Sequence, residues 1–230
     1  MNYHYMVNSD WDNIGDRTCH WSNYFPNFGM CMFHPKHDQA YIPIPRCGSQ
    51  YLCNFLEKKY GWVGSHVQIL SNLNEAYGKW KKEYQKDLQY FSIVRDPLER
   101  YISALWVLYD PNTQLLNEHR LDRPQLDQFF QNPSCNDHHT INQYNFFYNV
   151  DTSKVTFFDF NDKNLGEKLA HFFAKQGIKF DSTNWIKKDS EEKEIILKLF
   201  DDNPDYLEKV KMYLEDDYKF LSTIKYYEPN

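Results

Sequence analysis

Apolar positions in this chain repeat with two different periods. A short run at Gln39–Ile44 predicts a strand, with Pro43 marking its end or an edge position. Beyond Pro45-Arg46-Cys47-Gly48-Ser49, the side chains of Tyr51, Leu52, Phe55 and Leu56 recur at the spacing of one helical face. The order then repeats. Phe91-Ser92-Ile93-Val94 has the pattern of a buried strand and runs through Arg95-Asp96 into Pro97, which suits a first helical turn because its missing N–H is not needed there. Leu98, Ile102, Leu105 and Tyr109 continue at helical spacing. Val155–Phe158 predicts a third strand, followed by a helix face of Leu165, Leu169, Phe172 and Phe173 that Gly177 stops. Asp189-Ser190 with Glu192 reads as a helix cap, and Asn203-Pro204 as the opening of the last helix. Strands alternating with helices define an α/β domain with a mainly parallel sheet. Ligands of such sheets sit beyond the carboxyl ends of the strands, where both strand-to-helix loops fall. Residues 1–37 keep neither period and read as an irregular, aromatic-rich arm, leaving 38–230 as the regular domain.

Composition narrows the class. A chain of 230 residues is long enough for one cored domain plus an arm. Its net charge of −6 argues against nucleic-acid binding through a broad basic face, while leaving room for a local basic cleft. Aromatic residues make up 18 % of the chain against only 8 Gly, which excludes a disordered polymer. No run approaches the roughly 18 apolar residues of a membrane-spanning helix, so a soluble protein is expected. Met1–Tyr5 lacks the basic start and apolar run of a signal peptide. Cys19, Cys31, Cys47, Cys53 and Cys135 form an odd set without framework spacing, which points to reduced thiols in the cytoplasm or another intracellular setting. A luminal domain separated from its anchor would read the same way.

The candidate chemistry lies in the two loops. In Ile44-Pro45-Arg46-Cys47-Gly48-Ser49-Gln50-Tyr51-Leu52, a small turn entering a helix exposes backbone N–H groups to an anion, Arg46 adds a fixed charge and Ser49 a hydroxyl. The spacing is not that of a Walker A loop. One glycine between strand and helix is also ordinary turn chemistry. In Arg95-Asp96-Pro97-Leu98-Glu99-Arg100-Tyr101-Ile102-Ser103, helical spacing places Asp96, Glu99, Arg100 and Ser103 on one face, with Arg95 at the strand end. The same residues would also make an ordinary surface ion-pair network.

Taken together, Pro-Arg-Cys-Gly-Ser-Gln-Tyr-Leu and Arg-Asp-Pro-Leu-Glu-Arg-Tyr-Ile-Ser resemble the sulfotransferases that use 3′-phosphoadenosine 5′-phosphosulfate (PAPS), most closely the carbohydrate branch that includes the heparan and chondroitin enzymes. Val155–Phe160, Leu165–Gly177 and Tyr213–Tyr218 resemble the family's later strand, the helix after it and its closing helix, so the likeness spans residues 38–222. The resemblance implies a P-loop-like, three-layer sulfotransferase architecture, a nucleotide-binding domain over 38–230, PAPS as donor with 3′-phosphoadenosine 5′-phosphate (PAP) as product, no metal, and a carbohydrate or other hydroxyl-bearing acceptor. It assigns Arg46, Cys47, Gly48, Ser49, Gln50 and Tyr51 to the 5′-phosphosulfate loop, and Arg95 and Ser103 to the 3′-phosphate. Arg46 stands where the family usually has Lys; it supplies a fixed charge but is a poor proton donor.

In-line transfer needs a base, and His or Glu is the usual choice. His66, in Gly61–His66 between the two loops, is the first candidate and Glu75 the next. His138 and His139 precede Gln143 in a His-x-x-x-x-Gln string that resembles a substrate-side segment of the family, which makes either of them a further candidate for the base. Cys47, beside a helix start, is a position for a lowered thiol pKa. Cys19, Cys31, His34 and His37 have a zinc-ligand composition without a familiar spacing. Lys79–Lys82 is a basic run suited to an anionic glycan, and Tyr3, Tyr5, Trp11, Trp21, Tyr24 and Phe25 of the arm suit either packing or sugar stacking. The acidic pairs Asp201-Asp202 and Asp216-Asp217 read as surface. Acceptor choice is expected in 110–142 and the arm. Two other functions fit less of this pattern: a nucleotide-dependent kinase, which lacks its Walker lysine-hydroxyl pair, and a non-catalytic glycan- or partner-binding protein that keeps the fold.

Overall fold

The computed structural model describes residues 32–34, 39–62, 89–108, 130, 139–147, 150–185 and 191–229. Its centre is a four-stranded sheet, β1 (Met32–Phe33), β2 (Gln39–Ile42), β3 (Gln89–Val94) and β4 (Val155–Asp159), in that spatial order. β2, β3 and β4 are parallel, and β1 adds to β2 antiparallel. The helices are α1 (Ser49–Tyr60), α2 (Pro97–Leu108), α3 (Leu165–Ala174), α4 (Glu191–Asp202), α5 (Pro204–Tyr213) and α6 (Glu215–Thr223). This is a small, mainly parallel sheet flanked by helices. Among the described residues no helix is long and apolar enough to cross a membrane.

β3 is the middle of the parallel trio, and its sequence explains why. Phe91, Ser92, Ile93 and Val94 are all buried, as expected of a strand covered on both faces. The one polar member, Ser92, spends its hydroxyl on the Ile42 carbonyl at 2.7 Å. Tyr41 of β2 stacks on Phe91 with ring centroids 5.0 Å apart, tying the two strands that carry the loops. Leu52 and Leu56 of α1 and Leu165, Leu169, Phe172 and Phe173 of α3 join this core. A second cluster unites Tyr101, Ile102 and Leu105 of α2 with Ile196, Phe200, Val210 and Leu214 from the C-terminal helices.

Several local expectations shift. β2 ends at Ile42, two residues early, because Pro43 has no N–H for the ladder. The buried face of α1 is Ser49, Leu52, Cys53 and Leu56, while Tyr51 is 37 % exposed. β1 falls within 1–37 because two residues are too short to display a period. Pro204 does open a helix, but α5 stops at Tyr213 and α6 follows through Leu214, so it is not the last. Asp217 is no surface residue: it is 0 % exposed, whereas Asp216 beside it is open to solvent. The cause is rotational, since successive helix positions lie about 100° apart. Tyr109, Asp189 and Ser190 lie outside the described residues.

Candidate functional site

The carboxyl ends of β2 and β3 each feed a helix, and the two loops meet. In the first, the Cys47 N–H donates to the Ile44 carbonyl at 3.2 Å, closing a tight turn. Arg46 takes a positive φ of 68° and Gly48 one of 74°. A non-glycine residue in this region is strained by about 1–2 kcal/mol, so surrounding contacts must hold Arg46 there. Gly48 is required for a second reason. A Cβ at that position would stand 2.4 Å from Cη2 of Trp185 and 3.3 Å from a ring carbon of Phe160. Gly48 is the N-cap of α1, and among the described residues no side chain caps that helix start. Its first turn also holds no acidic residue, so the N–H groups there have no internal carboxylate.

The second loop differs. Asp96 Oδ1 accepts the Glu99 N–H at 2.9 Å, so α2 begins at Pro97 with its own cap. Ser103, two turns on, accepts from Nε of Arg46 at 3.0 Å. Arg95 Nη1 donates to the Arg46 carbonyl at 3.3 Å, its Nη2 lies 3.6 Å from Glu99 Oε2, and its guanidinium stacks on Phe160 at 4.7 Å. Arg46, Arg95 and Ser103 are thus brought into one place from positions more than fifty residues apart in part.

Arg100 separates from the face expected of it. It is 0 % exposed and donates through Nε to the Pro45 carbonyl at 3.0 Å and through Nη1 to the Ile141 carbonyl at 2.6 Å. It is a tie between segments rather than a group offered to an anion. Cys47 also departs from expectation. Three guanidiniums, Arg100, Arg95 and Arg46, pull its thiol pKa down, but burial outweighs them and pushes it up to about 12. Its Sγ–H instead faces Gln143 Oε1 at 3.6 Å. Both described cysteines, Cys47 and Cys53, are buried free thiols.

Of the remaining expected residues, Ser49 is buried at the start of α1, Gln50 is exposed, and Tyr51 forms a rim edge-on to Trp185 and Phe180. His66, Glu75, His138 and Lys79–Lys82 lie outside the described residues, as do Cys19, Cys31, His37 and the arm aromatics. His34 and His139 are partly buried, and among the described residues no group of His, Cys, Asp or Glu could hold a metal ion. Four contributors were not assigned from the sequence. Phe160 follows a strand's carboxyl end, a position that could have flagged it. Gln143 carries a signal only as the end of the His-x-x-x-x-Gln string, which does not point to Arg95. Trp185 and Asp217 carry no local signal for a place in the site.

A family model described as the sulfotransferase family matches residues 30–222. No curated protein and no solved structure matches the chain.

Proposed function

The chain belongs to the sulfotransferase family, and from that premise we propose that it moves a sulfuryl group from PAPS to a hydroxyl of a carbohydrate acceptor. The observation that carries this reading is the meeting of the two loops, Arg46 Nε on Ser103 Oγ at 3.0 Å and Arg95 Nη1 on the Arg46 carbonyl at 3.3 Å. A donor with a phosphosulfate at one end and a phosphate at the other needs cations and N–H donors on neighbouring strands. In this reading Arg46 and the uncapped start of α1, from Cys47 through Gly48, Ser49, Gln50 and Tyr51, receive the 5′-phosphosulfate. Arg95 and Ser103 receive the 3′-phosphate, Arg95 as a fixed fork.

The acceptor oxygen attacks sulfur in line with the bridging oxygen. The new S–O bond forms as the bridging one breaks, the electron pair leaves with PAP, and the acceptor proton passes to His66 or Glu75. Arg46 stabilises the charge growing on the leaving phosphate without giving up a proton. Tyr218 and Tyr226, 42 % and 38 % exposed, sit near Asp96, and Tyr226 also near Asp159, so rings and carboxylates gather at the ends of β3 and β4. That mixture suits the apolar faces and hydroxyls of a sugar.

Thermal shift with PAP against ATP and Mg²⁺, followed by sulfated-product analysis across a saccharide panel, tests this. PAP is expected to stabilise the protein, since a ligand of the native state raises its stability. Stabilisation by ATP alone would point to a kinase. PAP binding without product would point to a fold kept for binding. Among active preparations, loss of turnover in His66→Ala or in Glu75→Gln identifies the base.

A further inference from the structure

We infer that Gln143 is a positioning residue for the anion site: its buried amide clamps the Arg95 peptide and so sets the aim of the Arg95 guanidinium. The ladder between β3 and β4 has Val94 as its last β3 partner, so the sheet register no longer fixes Arg95. There Gln143 supplies a substitute rung. The Arg95 N–H donates to Gln143 Oε1 at 3.0 Å, and Gln143 Nε2 donates to the Arg95 carbonyl at 2.7 Å. The same Oε1 faces the Cys47 thiol at 3.6 Å, so one amide touches both loops. Gln143 is 0 % exposed, which removes water as a competing partner. Only a group with donor and acceptor side by side can satisfy both halves of the Arg95 peptide.

The clamp is itself held from two directions. Asp217 of α6 accepts the Tyr144 N–H at 3.0 Å, and the neighbouring Gln143 favours its ionised form. Arg100 of α2 donates to the Ile141 carbonyl on the other flank. Both charges are fully buried and of opposite sign, and Arg100 lowers the cost of ionising Asp217 against the upward push of burial. Segment 141–144 is thus fastened to two helices, and through Gln143 it fastens Arg95. On its far side the guanidinium rests against Phe160 and Glu99. The functional consequence rests on PAP being the bound product, as proposed above; the clamp itself does not.

Hydrogen exchange at the Arg95 amide and PAP affinity by calorimetry, measured in the full chain, test the inference. Gln143→Met removes both bonds at similar volume. It should speed Arg95 exchange and weaken PAP by about tenfold or more. Gln143→Glu gives the readout that simple packing would not. An un-ionised carboxyl can accept from the Arg95 N–H and donate to its carbonyl, whereas the carboxylate only accepts. PAP affinity of this variant relative to wild type should therefore be poor at pH 8 and recover toward pH 6. The groups around that carboxyl are the Arg95 peptide and the Cys47 thiol from the loops, Asp217 from α6 and, on the adjoining Ile141 carbonyl, Arg100 from α2. Burial and Asp217 favour its protonation, while the two arginines oppose it. Gln143→Glu at pH 6 also keeps the test readable if the Met variant does not fold. Unchanged Arg95 exchange, PAP affinity of Gln143→Met within about twofold of wild type, or no recovery of Gln143→Glu at low pH would overturn the clamp. If wild type itself does not bind PAP, the donor assignment fails, and Arg95 exchange alone still decides the clamp.

Discussion

The β2–α1 and β3–α2 junctions occupy the same place in the fold and solve it in opposite ways. Both leave adjacent parallel strands at their carboxyl ends and enter a twelve-residue helix. The first leaves its helix start uncapped behind Gly48 and offers backbone N–H groups. The second closes its helix start with Asp96 and offers side chains instead, Arg95 before the helix and Ser103 within it. A motif repeated at the level of strand, loop and helix therefore yields one junction that presents backbone N–H groups and one that presents side chains. In the function proposed above, that complementarity lets two anionic groups of one donor be held at once.

The largest effect should come from emptying the side-chain junction. Arg95→Ala is expected to weaken PAP by about 100- to 1000-fold, because it removes charge-assisted bonds to a phosphate; calorimetry reads this. A loss under about tenfold would move the 3′-phosphate elsewhere. Next comes the backbone junction. Gly48→Ala combines the positive φ with a 2.4 Å approach to Trp185, and should cost about 2–4 kcal/mol in denaturant unfolding. Adding Trp185→Leu should relieve the steric part and leave the conformational part of about 1–2 kcal/mol. Complete recovery would show that φ at Gly48 does not matter.

Burial of the first loop predicts a pH response. The Cys47 and Cys53 thiols are both pushed up to about 12 from an ordinary value of 9.0. Between these values the unfolded chain has lost protons that the native state keeps, so stability is full below about pH 9 and falls as pH rises toward 12. The slope should approach about 1.4 kcal/mol per pH unit for each thiol. Urea midpoints between pH 9 and 10 measure it; Tyr41 and Tyr101, also raised by burial, add to the same fall, so the thiol share is read as the difference between wild type and Cys53→Ala. Cys53→Ala should flatten the slope, and an unchanged slope would remove that thiol as a cause. Smallest is the cap of the second junction. Asp96→Ala should cost about 1 kcal/mol of stability, and Asp96→Asn only a few tenths, since Asn caps as well as Asp. Equal losses in the two would mean that the charge, rather than the cap, is what matters there.

Much of the architecture was legible because period and punctuation are local properties. The all-buried β3, the α3 face and the start of α2 at Pro97 follow from residues within one turn or one strand of each other. The site was legible only as far as its motifs ran: Arg46, Arg95 and Ser103 stand out as charges and a hydroxyl at the right junctions. Arg100 and Asp217 were misplaced because exposure depends on what packs against a helix face. Nothing within five residues of either says that a carbonyl from 141 or an N–H from 144 will be its partner.

By itself the sequence determined that this chain is an α/β protein, where its two strand-to-helix loops lie, and which family it belongs to. Those features are written in periodicity and in contiguous strings. Only the tertiary structure decided that one junction is open and the other capped, that the Cys47 thiol is raised rather than activated, and that Gln143 joins Arg95 to the first loop. These depend on desolvation and on hydrogen bonds between segments tens of residues apart. Such interactions come into being only when the core brings their partners together and excludes the water that would otherwise take their place.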